Sequence, residues 1–292
     1  MKFITCIIVT YYPNKTQLNV LIEKLSKQVD TIEIYDNTPA ECDFDINKNN
    51  CNLHKLKENL GIAKAQNIGL KKAFKDGAKF VLLMDQDSLP SKSLIQTLIN
   101  AYDYLIRKNY NVGILGSVYE DKLTKRKHYK NNFYYEVAIN SDISISQFLI
   151  SSGSLIPKNT YELIGGMDEK LFIDYVDFEY CWRAQQNSLQ TFLVKKSLII
   201  HSQGEGEKKR FLGLLSVLKD QPIRNYYGAR NLILLSKRNY VPKIWIAINL
   251  IRLIGKLLLI PFFYDSKLLR LRYIILGIIH GIKNKKNKVL SS

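Results

Sequence analysis

The first hundred residues alternate short apolar runs with longer segments in which leucine and isoleucine recur at helical spacing. Phe3–Thr10, Thr31–Tyr35 and Phe80–Met84 are strand-like, and Thr16–Gln28 and Ala63–Lys75 between them have the helical period. Phe80–Met84 is apolar at every position, as in a parallel strand that is covered on both faces. This alternating order predicts an α/β protein with a doubly wound sheet.

Each predicted strand ends in polar residues. The three clusters are Thr10-Tyr11-Tyr12, Asp36-Asn37 and Asp85-Gln86-Asp87. Ligands of open α/β sheets bind outside the carboxyl ends of the strands, so we expect the clusters to form one rim. Asp85 and Asp87 are hard oxygen ligands in a D-x-D pattern, which suits one Mg²⁺ or Mn²⁺ ion. A solvated turn with an aspartate N-cap is the alternative.

Charge and cysteine content restrict the class of protein. A net charge of +17 indicates an anionic partner, such as a nucleotide-bearing substrate, an anionic membrane surface or nucleic acid. The chain has no zinc-finger or RNP-type motif, so no nucleic acid partner is expected. The apolar start lacks an A-x-A-like cleavage site and is interpreted as a strand, not a signal peptide. We interpret the four cysteines as reduced thiols of a cytosolic protein: Cys6, Cys42, Cys51 and Cys181.

Two later stretches add candidate ligand contacts. In ENLGIAKAQNIGL, Asn59 and Gly61 precede a helix that carries Lys64 and Asn67. Backbone N–H groups at such a helix start suit a phosphate, although an ordinary glycine turn is the alternative. The small residues of the SSGS stretch at 151–154 allow a close approach of backbone to a ligand.

The last fifth of the chain differs from the rest. Lys243–Phe263 is strongly apolar but contains Arg252 and Lys256, and Lys267–Ile282 mixes leucine and isoleucine with basic residues. Charges in mid-membrane are costly, so we expect amphipathic helices at an anionic lipid interface. A packed helical pair with a solvated basic tail is the alternative. We therefore predict a catalytic or binding domain over residues 1–240 and a basic amphipathic segment over residues 241–292.

The ordered motifs VTYYP, IYDN, ENLGIAKAQNIGL, LLMDQDS, GGMDEKLFIDYVDFEYCWRAQ and RNYYGARN resemble those of the family 2 glycosyltransferases. The set is similar in particular to the bacterial rhamnosyltransferase-like branch. The resemblance implies a GT-A fold, with a Rossmann-like nucleotide-sugar half followed by an acceptor half. It implies inverting transfer of a sugar, L-rhamnose from dTDP-L-rhamnose in this branch, to a growing cell-surface polysaccharide (capsule or O-antigen) or a lipid-linked glycan acceptor.

Two other functions stay open at this point. A family 2 transferase with a UDP-hexose donor is the alternative within the family. A non-catalytic anion- or membrane-binding protein is the alternative of another class. The interpretation of the chain as a glycosyltransferase implies a cytoplasmic protein that lies peripherally on the inner face of the cell membrane.

The resemblance also implies site residues. Asp85, Asp87 and His201 match positions that hold Mg²⁺ or Mn²⁺ and thereby the donor diphosphate. For His201, the alternative is a histidine that only closes a strand. For Arg224 and Arg230, the alternative is a basic helix face that contacts no ligand. The residues that match the nucleotide-sugar site are Thr10, Tyr11, Tyr12, Asp36, Asn59, Gly61, Lys64, Asn67, Asp85, Gln86, Arg224 and Arg230.

An inverting displacement needs a general base for the acceptor hydroxyl, and Asp177 matches its place. The common family pattern has an adjacent Glu-Asp pair, whereas Val176 occupies the glutamate position here, so Asp174 and Glu179 are alternative bases. Aromatic neighbours are expected to desolvate the carboxylate and raise its pKa. An acidic helix start that is favoured by the helix dipole is the structural alternative.

Overall fold

The computed structural model describes residues 3–40, 46, 48–121, 127–128, 136–201, 208–211, 215–218 and 221–285. The helices are α1 Lys15–Leu25, α2 Ile62–Lys75, α3 Leu94–Arg107, α4 Lys158–Ile164, α5 Val176–Gln186, α6 Pro222–Ser236, α7 Lys243–Phe263 and α8 Lys267–Ile282. The strands are β1 Ile4–Thr10, β2 Thr31–Asp36, β3 Cys51–Lys55, β4 Phe80–Asp85, β5 Ser88–Pro90, β6 Val112–Asp121, β7 Lys127–His128, β8 Glu136–Ala138, β9 Ile143–Ser146, β10 Ser154–Pro157, β11 Gln190–His201, β12 Lys208–Phe211 and β13 Leu215–Leu218.

The main sheet has the strand order β3-β2-β1-β4-β10-β6-β11-β9-β8. Its first four strands are parallel, which confirms the predicted doubly wound start. Strand β10 runs antiparallel between β4 and β6, and β11 is parallel to β6. The register pairs Thr10 with Asp36 and Val9 with Asp85. The carboxyl ends of β1, β2 and β4 therefore lie side by side, as the polar clusters predicted.

Helices cover both faces of this sheet. Ile8 of β1 packs with Leu18 of α1 and Leu98 of α3, whereas its neighbour Ile7 packs with the α2 and α5 side. This alternation is typical of a strand that is buried on both faces. The helical period of Ala63–Lys75 predicts that Ile68 points inward, but Ile68 is an exposed residue of α2. Small residues of α2 face the sheet instead, and a Cβ at Gly69 would lie 2.8 Å from Ile7 Cδ1.

The cysteines of the described residues are unpaired. Cys6 and Cys181 are buried, Cys51 is partly buried, and all three are free thiols. Burial raises the pKa of the Cys6 and Cys181 thiols, so both stay protonated at neutral pH. Cys42 lies outside the described residues.

The last three helices form a compact group. Helix α6 packs along α8, and α7 contacts both. The turn that joins α7 to α8 is held by Arg270 Nη2 and Asp265 Oδ1 at 2.8 Å. A Cβ at Gly277 would lie 2.5 Å from the Tyr226 carbonyl oxygen, so glycine permits the close approach of α8 to α6. The boundary at residue 240 stays a prediction, since helices on its two sides are in contact.

Candidate active site

Asp85 and Asp87 form the turn that joins β4 to the short strand β5. Strand β5 pairs with the end of β11, and Ser88 lies opposite His201 in that register. The backbone of the predicted histidine therefore reaches the D-x-D turn, while the side chain of His201 lies outside the described part of the chain. The Asp85 N–H donates to Ser152 Oγ at 3.2 Å, which ties the turn to the SSGS stretch at 151–154.

The two carboxylates of the turn are electrostatically coupled. Burial raises the pKa of Asp85 to about 7, and the negative charge of Asp87 adds to the rise. A divalent cation between them would relieve this repulsion. Within the described ranges, no three His, Cys, Asp or Glu side chains form a group that could hold a metal. Two carboxylates fit an ion that takes its remaining ligands from water and substrate phosphates, as Mg²⁺ does.

Asp177 belongs to the first turn of α5 and is held by two backbone donors. Its Oδ2 accepts from the Ser151 N–H at 3.1 Å, and its Oδ1 accepts from the Phe178 N–H at 2.9 Å. Desolvation raises the pKa of Asp177 to about 7, although these hydrogen bonds lower it. The negative charge of Asp85 also contributes to the rise. The fold thus brings the predicted base and the D-x-D turn to one electrostatically coupled site.

The two alternative bases are engaged in ion pairs. Asp174 pairs with Arg224. Glu179 is buried, and its Oε1 accepts from Arg183 Nε at 2.8 Å and from Tyr240 Oη at 2.7 Å. Asp177 has a raised pKa and no ion pair to a described residue, whereas Asp174 and Glu179 are both ion-paired. This geometry favours Asp177 as the base.

Thr10 and Asp36 form a buried anchor below the rim. Asp36 Oδ1 accepts from Thr10 Oγ1 at 2.8 Å and from Thr38 Oγ1 at 2.7 Å. Tyr11 and Tyr12 are 45% and 57% exposed, and their ring centroids lie 4.7 Å apart in a T-shaped contact. The two tyrosines therefore present aromatic surface at the end of β1, while the anchor fixes the chain that carries them.

Several predicted nucleotide contacts instead hold the rim together. Gln86 Oε1 accepts from the Tyr11 N–H at 2.8 Å, and Gln86 Nε2 donates to the Tyr11 carbonyl at 3.2 Å. Asn67 Oδ1 accepts from the Met167 N–H at 2.6 Å, and Asn67 Nδ2 donates to the Met167 carbonyl at 2.9 Å. Both amides bind protein backbone with donor and acceptor atoms. Both amides therefore position backbone in this structure, and their role as ligand contacts stays a prediction.

The segment before α2 is shaped by a close contact. Gly61 has a φ of +82°, and a Cβ there would lie 2.5 Å from Phe172 Cδ2. Asn59 Oδ1 accepts from the Gly61 N–H at 3.0 Å, so it stabilises its own turn. Lys64 is exposed in the first turn of α2. Sequence reasoning gave no role to Asn37, although it followed β2 in a polar cluster. Its Nδ2 donates to the Gly61 carbonyl at 3.1 Å and fixes this segment to the rim.

The loop that leads to the candidate base is strained. Phe172, Asp174 and Tyr175 have φ values of +66°, +66° and +64°, which are unfavourable for residues with a Cβ. Helix α6 holds this loop. Asn231 Nδ2 lies 3.0, 2.7 and 3.0 Å from the carbonyl oxygens of Leu171, Ile173 and Asp174 respectively.

The prediction that Arg230 meets a phosphate is corrected by its burial. Arg230 is 0% exposed, and its Nη2 donates to the Leu171 carbonyl at 2.7 Å and to Asn231 Oδ1 at 2.9 Å. Its guanidinium also lies 5.0 Å from the Tyr227 ring centroid. Arg230 is therefore a positioning residue of the strained loop. Arg224 is the partly exposed arginine of α6, in its ion pair with Asp174.

Replacing Asn231 with leucine is expected to destabilise the protein. The change leaves buried loop carbonyls without a donor, at a cost of about 2 to 3 kcal/mol. Thermal unfolding should shift down by about 5 °C. Asn239→Leu, an exposed change three residues beyond the end of α6, should shift it by less than about 1 °C. Equal unfolding temperatures for Asn231→Leu and wild type would contradict this role of Asn231.

The sequence is similar to known proteins over much of its length. The sequence profile of Glycosyl transferase family 2 matches residues 6–164, more than half of the chain. The dTDP-rhamnosyl transferase RfbF of Shigella flexneri is 33% identical over 252 residues, with 82% of this chain and 81% of that protein covered.

Solved structures share the fold at low sequence identity. S. aureus TarS 1-349 in complex with UDP-GlcNAc has a TM-score of 0.56 and 16% identity, covering 97% of this chain and 81% of that chain. A longer TarS chain also matches, with a TM-score of 0.53 and 14% identity over 90% of this chain, and this protein spans 44% of it. GalNAc-T7 with UDP, GalNAc and Mn²⁺ has a TM-score of 0.54 and 13% identity, with 86% of this chain and 54% of that chain covered.

The fold is that of the GT-A glycosyltransferases, which confirms the predicted fold. The chain belongs to glycosyl transferase family 2, in its rhamnosyltransferase-like branch.

Proposed function

We propose that this glycosyltransferase transfers L-rhamnose from dTDP-L-rhamnose to a glycan or lipid-linked glycan acceptor, with inversion at the anomeric carbon. The observation that carries the transfer chemistry is the placement of Asp177 within electrostatic range of Asp85 at the strand ends. The likeness to dTDP-rhamnosyl transferase RfbF supports the donor.

In the proposed reaction, the Asp177 carboxylate takes the proton of the acceptor hydroxyl. The hydroxyl oxygen forms a bond to C1 of the sugar as the bond from C1 to the phosphate oxygen breaks, and dTDP leaves. Asp85 and Asp87 would hold Mg²⁺ or Mn²⁺, which when bound stabilises the negative charge of the departing diphosphate. The Mn²⁺ of the GalNAc-T7 structure supports this use of a metal.

A UDP-hexose donor is the second candidate. The UDP-GlcNAc complex of TarS, which shares the fold, favours it. The two nucleotides differ in the thymine methyl group and in the ribose 2′-hydroxyl, which dTDP lacks. The two sugars differ in the 6-hydroxyl, which rhamnose lacks, and in ring configuration. The strong likeness over most of the chain to a dTDP-rhamnosyl transferase makes dTDP-rhamnose the first choice.

A transfer assay tests the proposed reaction. Purified protein is incubated with membrane extract and radiolabelled dTDP-L-rhamnose or UDP-glucose, and the product linkage is determined by NMR. We expect label from dTDP-L-rhamnose, in the anomeric configuration opposite to that of the donor. Transfer from UDP-glucose alone would overturn the donor, and retention of configuration would overturn the mechanism.

We also propose that the enzyme works at the inner face of the cell membrane, on a lipid-linked acceptor of a capsule or O-antigen type of polysaccharide. Helix α7 is long and apolar enough to cross a membrane, and 11% of its apolar window is buried in the protein. Four of its exposed apolar residues recur at helical spacing: Ile251, Ile254, Leu258 and Phe262. We refer to these four residues as the α7 stripe. Basic side chains such as Arg252 on the same helix favour anionic head groups over a full span.

The α7 stripe is expected to drive binding to vesicles. In cosedimentation with phosphatidylcholine vesicles that contain phosphatidylglycerol, the triple variant Ile251→Ser, Ile254→Ser, Leu258→Ser should bind at least about 10-fold more weakly, since each apolar side chain contributes roughly 1.5 kcal/mol or more when buried. Ile106→Ser with Leu163→Ser, two exposed apolar residues outside α7 and α8, should bind as wild type. Undiminished binding of the triple variant would contradict a membrane role of α7.

A further inference from the structure

Two phenylalanines lie in the two segments that hold the carboxylate of the candidate base. Phe178 directly follows Asp177 on α5, and its N–H donates to Asp177 Oδ1 at 2.9 Å. Phe148 lies three residues before Ser151, whose N–H donates to Asp177 Oδ2 at 3.1 Å. The ring centroids of Phe148 and Phe178 are 4.1 Å apart, with 39° between the ring planes. We refer to these two residues as the phenylalanine pair.

The phenylalanine pair is the outer part of a larger aromatic cluster. Trp182 and Trp245 are each 1% exposed, and their ring centroids lie 4.9 Å apart. The ring centroid of Phe178 lies 6.0 Å from that of Trp182. Phe148 and Phe178 are only partly buried. The pair therefore offers aromatic surface beside the base, and buried indole rings support it from the core.

Aromatic surface next to a carboxylate suits a sugar. A pyranose ring has C–H groups on its faces and hydroxyl groups around its edge, so a face packs on an aromatic ring while an edge hydroxyl meets a polar group. At this site, the backbone of Phe178 binds the same carboxylate that would accept the hydroxyl proton. A sugar that packs on the pair is thus held close to Asp177, and such positioning accelerates a transfer.

The charge at this place disfavours a phosphate group as the nucleophile. The Asp177 carboxylate is not ion-paired with any described residue, and Asp85 is a second carboxylate within electrostatic range. A phosphate oxygen is already anionic near neutral pH, so it would be repelled by Asp177 and would need no base. A sugar hydroxyl is neutral and needs a base. The site therefore fits a hydroxyl nucleophile.

We propose that the phenylalanine pair is the acceptor subsite, on which the pyranose ring stacks whose hydroxyl loses its proton to Asp177. The acceptor is then a sugar that an earlier glycosyltransferase has attached to its carrier, and the enzyme does not act on a bare lipid phosphate. The inference deepens the proposed function, on which it rests for Asp177 as the base.

Analysis of the wild-type product tests the class of acceptor. The protein is incubated with membrane extract and radiolabelled dTDP-L-rhamnose, and the labelled product is treated with mild acid, which cleaves sugar–phosphate bonds before glycosidic bonds. We expect the label in a disaccharide or a longer glycan. Release of the label as free rhamnose would overturn this inference alone, since transfer would still have occurred. Absence of transfer from any nucleotide sugar would reject the proposed function and this inference with it.

Loss of the two rings tests the subsite itself. Phe148→Leu with Phe178→Leu keeps apolar side chains but removes the stacking surface, so the apparent KM for the extracted acceptor should rise about 10-fold. Tyr104→Leu removes a partly buried ring of α3, which packs in the core on the other face of the sheet, and should change this KM less than twofold. The affinity for dTDP in Mn²⁺ should stay within twofold of wild type in both variants, which also shows that they are folded.

The single variants Phe178→Leu and Phe178→Tyr separate stacking from general packing. Tyrosine keeps the ring, so its KM for the acceptor should lie nearer to wild type than that of the leucine variant. An unchanged KM in the double variant, or an equal rise in Tyr104→Leu, would overturn the subsite. The product analysis needs no variant, so it decides the class of acceptor even if the double variant does not fold.

Discussion

Replacing Asp177 with asparagine is expected to reduce turnover by about 10²- to 10⁴-fold, the usual contribution of a general base. The amide keeps an oxygen for the Ser151 N–H but cannot take the acceptor proton. Binding of dTDP should be unchanged, because the base contacts the acceptor. The measurements are steady-state transfer from dTDP-L-rhamnose and calorimetric binding of dTDP with Mn²⁺.

The pKa of Asp177 also predicts how the wild-type rate depends on pH. A base works in its deprotonated form, and burial raises this pKa to about 7. The turnover number should therefore rise from pH 6, be half-maximal near pH 7 and reach a plateau above about pH 8. An unperturbed aspartate, with a pKa of about 4, would leave the rate flat over this range.

The same shift predicts that Asp177→Asn is more stable than wild type near neutral pH. The folded pKa is raised above the unfolded value of about 4, so the folded protein binds the proton more tightly than the unfolded chain. The free energy of unfolding of the wild type therefore falls as pH rises from about 4 to about 7, and it stays lower above pH 7. Asparagine does not ionise, so the thermal midpoint of the variant should exceed that of wild type at pH 8 and match it near pH 4.

Two control variants separate Asp177 from its competitors. Asp174→Asn breaks the ion pair with Arg224, and Glu179→Gln weakens a buried pair with Arg183. Both should retain turnover above a tenth of the wild-type rate. If Asp174→Asn or Glu179→Gln instead lost turnover by 10³-fold while Asp177→Asn stayed active, the assignment of the base would be wrong.

Replacing Asp85 with alanine is expected to remove metal-dependent donor binding. A metal ion contributes several kcal/mol to the stabilisation of the diphosphate charge, so dTDP affinity in Mn²⁺ should fall by at least about 100-fold. In EDTA, Asp85→Ala and wild type should bind dTDP equally weakly. Calorimetric titration of dTDP into Asp85→Ala and into wild type, in Mn²⁺ and in EDTA, measures these affinities.

Glu23→Ala provides the matched control for this loss. Glu23 is an exposed carboxylate of α1 that pairs with Lys27 at 3.3 Å, outside the strand-end rim. Its removal should leave dTDP affinity within twofold of wild type. Unchanged affinity in Asp85→Ala would mean that the D-x-D turn does not hold a metal.

Much of the fold was predictable because it follows from local periodicity. The α1 residues Leu18, Leu21, Ile22 and Leu25 are all buried, as their spacing predicted. The strand order could also be anticipated for β1 to β4, since parallel strands joined by helices follow few topologies. Strand β5 was missed, because three residues after a turn have no periodicity of their own and are fixed by pairing with β11.

The site was predictable only in outline. Motif order assigned Asp85 and Asp177 to one site, and the structure brings the two carboxylates within electrostatic range although they are 92 positions apart in the chain. It did not distinguish residues that face a ligand from those that support the rim. Arg230 and Asn67 are polar residues of the motifs, yet the side chains of both form hydrogen bonds with backbone groups of distant segments. Such long-range hydrogen bonds leave no local signal in the sequence.

The most direct test of the central claim is calorimetric binding of dTDP and UDP to the wild-type protein, each with Mn²⁺ and with EDTA. We predict that dTDP binds more tightly than UDP in Mn²⁺, and that EDTA weakens the binding of both, because the metal holds the diphosphate that the two nucleotides share. Tighter binding of UDP would contradict the dTDP-rhamnose donor and leave the family intact. Failure of both nucleotides to bind in Mn²⁺ would contradict the account of the D-x-D turn as a donor site.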